Sequence, residues 1–228
     1  MALSKNGSTF SQAANSVFAT NWTSNSFAVG SGSNRILVVS IGTYLSSGIT
    51  AGGCVTGVKW GGSGGVALTK IGFQQYNTVA TREKEASIWY LLNPTAQTST
   101  LYVTFADSIN EVAVAATVWD GAIQSSPFSG GAGSENGWTT THSVLISSAV
   151  NSIVIDAIIA GGALTCSQTQ DANLATANNV VGQSHKDGAV SVTMTWTSAN
   201  CNHAMYAASL APYVDASHIN MALAVGGS

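Results

Sequence analysis

The chain has 228 residues and a formal net charge of −3; only 7% of its residues are charged, while 45% are hydrophobic. So apolar a composition excludes a disordered chain, which needs low hydrophobicity and high charge. The seven Lys and Arg are scattered, so the basic stripe of a nucleic-acid partner is missing, and no run reaches the ~18 apolar residues of a membrane span.

A globular domain usually carries roughly 25% charged residues. Here Ser, Thr, Asn and Gly occupy those places. Net charge keeps a free protein dispersed, so a surface this neutral points to a protein packed in an assembly or working outside the cell.

Residues 1–33 are rich in Ser, Asn and Ala, with Phe10, Val17, Phe18, Trp22 and Phe27 spaced through them, and read as one or two opening strands with polar turns. Residues 35–41, RILVVSI, are a nearly continuous β-branched run, which predicts a central strand buried on both faces. Residues 44–53 read as a loop, 55–60 as a short strand, 61–65 as a flexible turn and 66–71 as another strand. The cluster Arg82-Glu83-Lys84-Glu85 neutralises itself and reads as a solvated strand edge or loop. Residues 86–92 form a strand closed by the turn signal Asn93-Pro94.

The chain is organised around residues 99–119. Leu101, Val103 and Phe105 alternate with Tyr102 and Thr104; Asp107, Ser108 and Asn110 supply turn chemistry; a Val/Ala strand follows. The stretch reads as a hairpin, and residues 190–210 repeat its layout, Trp196 matching Phe105 and Cys201 matching Asn110. Between the copies, 120–138 carries Gly121, Pro127, Gly130, Gly131, Gly133 and Gly137 and reads as a link. Strands restart at 139–147 and 152–159, the latter echoing RILVVSI, while 172–183 reads as a helical turn or loop. Beyond Pro212, residues 219–225 again have strand character. The expectation is an all-β protein: an antiparallel β-sandwich, jelly-roll or immunoglobulin-like, built from two related halves. Its parts are 1–120, a link at 121–138, a second half at 139–213 and an extension at 214–228.

The runs SNRILVVSIG, VTGVKWGGSGGVALTKIG and ASIWYLLNPTAQTSTLYVTF together resemble a β-sandwich domain of tailed-phage virion proteins (capsid decoration or tail) and of large bacterial surface proteins. Trp60-Gly61-Gly62 and Val66-Ala67-Leu68-Thr69 carry the middle motif, with Ser63-Gly64-Gly65 as an insertion. The resemblance covers residues 34–213. It implies a structural role on a virion or cell surface and brings no active site with it. Residues 1–30 hold no signal-peptide pattern, so the expected route is synthesis in a host cytoplasm and residence on an extracellular particle.

No constellation for catalysis stands out. His142, His185, His203 and His218 lack metal-ligand spacing and read as surface or turn residues. No G-x-S-x-G elbow is present, no D-x-D-x-D calcium loop, and the ten acids are too sparse to nominate a pair. Cys54, Cys166 and Cys201 make no zinc pattern, and Cys166 and Cys201 are placed where they could meet across the sandwich. No catalytic residue, metal or cofactor is nominated. Trp60, Trp89, Trp119 and Trp196 fall on strands and read as core; Trp22 and Trp138 fall in polar segments and are the recognition candidates. With Ile219, Met221 and Leu223 of the tail they form the expected ligand or subunit contacts. The expected function is that of a non-enzymatic structural protein of a phage particle, a capsid decoration or tail-associated subunit. Its expected partners are copies of itself and other virion or surface proteins. The alternative is a carbohydrate-binding or adhesion module that takes a glycan.

Overall fold

The computed structural model describes residues 1–46, 53–77 and 83–214. Within them every regular element is a strand. The first half runs β1 (Ser4–Lys5), β2 (Phe10–Thr23), β3 (Phe27–Val29), β4 (Ile36–Leu45), β5 (Val55–Trp60), β6 (Val66–Ala67), β7 (Thr69–Asn77), β8 (Glu83–Leu92), β9 (Gln97–Ser99) and β10 (Leu101–Asp120). The second runs β11 (Phe128–Ser147), β12 (Ile153–Ala160), β13 (Thr165–Cys166), β14 (Thr169–Ala175), β15 (Val180–Asp187) and β16 (Ser191–Leu210).

Both halves have one topology. Their antiparallel sheets run β2-β10-β4-β8-β7 and β11-β16-β12-β15-β14, with β5 added to β10 and β13 to β16. Ile36 pairs with Trp119, and Ile153 with Leu210. Counting back along β10 and β16 from those pairs puts Phe105 opposite the same neighbours as Trp196, and Asn110 where Cys201 stands. The two halves expected from sequence are present as a duplicated topology.

The repeated unit differs from the hairpin expected. Each copy is a single strand of 20 residues. Asp107 and Ser108 bend the strand without reversing it: the β2–β10 ladder slips between Thr104 and Ile109, then resumes. Before the bend β10 pairs with β5, and after it with β4 on the same edge, while β2 follows the other edge throughout. The β2–β10 ribbon, like β11–β16, thereby passes from one layer to the next.

Three cores result. All ten residues of β4 are buried. Strand alternation sends Leu37, Val39 and Ile41 into a first-half core with Val58, Trp60 and Phe105, and Ile36 and Val38 towards the other sheet. On β12, also wholly buried, Val154 and Ile158 join Met194 and Trp196, while Ile153, Ile155 and Ile159 meet the first sheet. The run of β-branched residues in each central strand thus has a dry partner on both faces, as its sequence requires. The tryptophans at 60, 89, 119 and 196 are all buried, as expected.

Several glycines leave room for side chains of the facing sheet or of a neighbouring strand. A Cβ on Gly42 would lie 2.4 Å from Val181 Cγ2, one on Gly131 2.1 Å from Tyr206 Oη, and one on Gly133 2.2 Å from Gln74 Oε1. The Gly-rich stretch read as a link is therefore strand from Phe128 onwards, its glycines serving packing; the connection proper is 121–127. Residues 172–183, read as a helical turn or loop, contribute to β14 and β15.

Candidate functional site

The bends of the two long ribbons come together at one end of the contact between the halves. In β11 the ladder slips between Asn136 and Thr139, so Trp138 lies in a bulge and turns outward, 76% exposed. The slip in β2 falls around Ser16–Phe18: Ser16 and Phe18 have φ of 54° and 43°, and Phe18 is 66% exposed. The two bulges face equivalent segments of β16 and β10, so duplication has placed an exposed aromatic in each half.

Each aromatic flanks a depression, of about 240 Å³ beside Trp138 and about 200 Å³ beside Phe18. Tyr44 and Asn178 line both, so the two adjoin. The charges beneath are covered by amides in a reciprocal pattern. On one side Lys84 Nζ donates to Asn202 Oδ1. On the other, Asn179 Nδ2 donates to Glu111 Oε2 at 3.0 Å, and Asn178 and Thr176 donate to the same carboxylate. The register makes Lys84 equivalent to Asn179, and Glu111 to Asn202. Asn200, which is exposed, lines the first depression, and Asn110, whose Oδ1 accepts the Ser46 N–H at 2.8 Å, lines the second.

Trp22 does not join this site. It lies on β2 opposite Val103, half-buried against the first-half core. Ile219, Met221 and Leu223 lie outside the described residues. Phe18 carries no mark in the sequence that separates it from Phe10 or Phe27; only its equivalence to the Trp138 bulge distinguishes it.

The histidines read as surface residues include two that are buried. The His142 and His203 rings pack at a tilt of 48° with centroids 4.2 Å apart, His142 Nε2 meets Ser198 Oγ at 2.7 Å, and Ser198 Oγ lies 3.1 Å from Cys201 Sγ. Burial holds His203 down to about 4, helped by His142 and Lys84, and lowers His142 as well, so both rings are neutral at pH 7. His185 is a strand residue bound to Asp171 at 2.7 Å, and Asp171 also receives Lys5 Nζ at 2.6 Å, which fastens β1 to the second half. Lys84 and Glu85, read as solvated, are buried in β8. Glu85 is raised by that burial despite Lys70 at 3.9 Å. Cys166 and Cys201 are not bridged; all three cysteines are thiols. Among the described residues no group of three or more His, Cys, Asp and Glu is arranged to hold a metal ion, and no helix is long and apolar enough to cross a membrane.

No protein-family model matches the chain, and no curated protein matches its sequence.

What the paired depressions offer is a surface of two exposed aromatic side chains at the rims, asparagines between them, and Lys84 and Glu111 already engaged by their own neighbours. Such a surface suits a ligand that is uncharged, rich in hydroxyls and apolar on one face.

Proposed function

We propose that the protein is a non-enzymatic structural subunit of a virus particle or cell-surface assembly, a capsid decoration or tail-associated component, whose partners are copies of itself and neighbouring particle proteins. The observation that carries this reading is where its few charges go. Lys84, Glu85, Glu111 and Asp156 are buried, and Asp171 is closed off by Lys5 and His185. With these withdrawn, the exterior keeps few charges for a chain of this length, a condition that favours association over dispersal. At the end of the second half opposite the paired depressions, Val150 and Val190 are 69% and 83% exposed on turns joined by the Gly188 N–H to Ser152 C=O bond of 2.7 Å. Light scattering across a concentration series tests the reading. A mass that climbs above one chain, and falls back in the Val150→Asp/Val190→Asp double variant, is expected; a single-chain mass at every concentration overturns it.

A second reading, an adhesion module that takes a glycan, is favoured by the exposure of Trp138 beside an asparagine-lined depression.

A further inference from the structure

We infer that the two depressions form one continuous cleft for a neutral oligosaccharide, held at one end by Trp138 and at the other by Phe18. The inference rests on the adhesion reading and gives it a site.

Three observations converge. The first is placement. Large aromatics inside strands are ordinarily core residues, yet these two stand outward at matching bulges of the duplicated ribbons. Phe18 does so in left-handed backbone geometry, with Ser16 beside it in the same region. For non-glycine residues this conformation is strained and persists where the surroundings impose it.

The second is charge. A phosphorylated or sulfated ligand would need a cation free to meet it. Lys84, the one cation among the described residues that line either depression, already donates to both the side-chain and main-chain oxygens of Asn202. A cationic ligand would need an open carboxylate, and Glu111 accepts hydrogen bonds from three side chains. The cleft thus selects against either sign.

The third is continuity. Tyr44 and Asn178 belong to both depressions, so a ligand can leave one ring on Trp138 and cross to Phe18 over a floor of amides. A pyranose chain has the required chemistry: C–H faces that stack on an aromatic ring, and edge hydroxyls that both donate to and accept from amides.

The experiment is an array of neutral oligosaccharides probed with the whole chain, followed by titration of a bound glycan against wild type, Trp138→Ala, Phe18→Ala and the double variant. Circular dichroism and thermal melts on each variant show whether the fold is kept. Saturable binding is expected, with each single substitution weakening it by about tenfold or more, the loss of one anchoring aromatic. Quenching of tryptophan fluorescence should accompany binding in the wild type and shrink in Trp138→Ala. Binding that survives the double variant leaves the adhesion reading standing but overturns this site. Weakening by only one of the two substitutions overturns the continuous cleft. An array with no binder overturns the site and the adhesion reading together.

Discussion

Asp156 gives the sharpest test of the physics in this fold. Its carboxylate is wholly buried on β12, where the other half has Val39. Oδ1 accepts the Ser184 N–H and Oγ–H, each at 2.8 Å, and Oδ2 accepts Trp196 Nε1–H at 2.8 Å. Burial raises its pKa from 3.8 to about 7, the bonds from Trp196 and Ser184 pull it back only in part, and the charge that acts on it, Asp171, has the same sign. Between those values the folded chain keeps a proton that the unfolded chain has released. The Asp156 contribution to stability is therefore greatest below pH 4 and is lost as pH rises from 4 through 7, by about 4 kcal/mol at about 1.4 kcal/mol per unit. Asp156→Asn removes the titration. It also sets an amide donor against Trp196 or Ser184, a cost of about 1–3 kcal/mol that does not depend on pH. Denaturant unfolding of both proteins at pH 4, 5, 6 and 7.5 isolates the term, since every other group titrates alike in the two. The wild type should lose most of that ~4 kcal/mol relative to the variant across the series. A difference that stays flat to within ~1 kcal/mol would refute the reasoning.

Three further outcomes are expected. Gly42→Val places side-chain atoms where Val181 already stands, so it should destabilise by about 1–3 kcal/mol; Gly64→Ala, with nothing within 4 Å of its Cβ, should leave the denaturation midpoint nearly unchanged. Trp22→Ala should cost about 2–4 kcal/mol for lost packing on the first-half core, whereas Trp138→Ala should stay within about 0.5 kcal/mol of wild type, which thermal melts will separate. The His203 ring, held near 4 by burial, should show no titration by NMR between pH 5.5 and 8. Because its folded pKa lies below the ordinary 6.5, the His203 contribution to stability is lost as pH falls from 6.5 towards 4; a ring that titrates near 6.5 contradicts the buried ring pair.

Much of the architecture is written in patterns that burial enforces. RILVVSI has no polar face to offer water, and β4 has none exposed; the echo at 152–159 predicts β12 for the same reason. The match of Phe105 to Trp196 survives to the residue because both copies must keep one register. What sequence misses is the difference between bending and reversing. Asp107, Ser108 and Asn110 suit a hairpin turn, but they serve a bulge equally well, and only the partner strand β2 decides which occurs. Gly131 and Gly133 look like loop glycines because the demand they meet, the approach of Tyr206 and Gln74, comes from far along the chain. Trp138 and Trp22 read alike in the sequence, yet the structure exposes the first in a bulge and packs the second, half-buried, on the first-half core. Polar neighbours in a strand say nothing about which face a tryptophan takes once a bulge shifts the alternation.

The shared core between β4 and β12 has the form of an isologous contact: matching central strands of the two halves meet there. The molecule is thus a dimer written in one chain, its subunits tethered by residues 121–127. Tethering replaces a concentration-dependent encounter with an intramolecular one, so the contact holds however dilute the protein becomes. It also frees the copies to diverge at matching positions, since a change in one is no longer imposed on the other. Val39 and Asp156, or Phe18 and Trp138, are such divergences, and a symmetric homodimer could have carried neither pair.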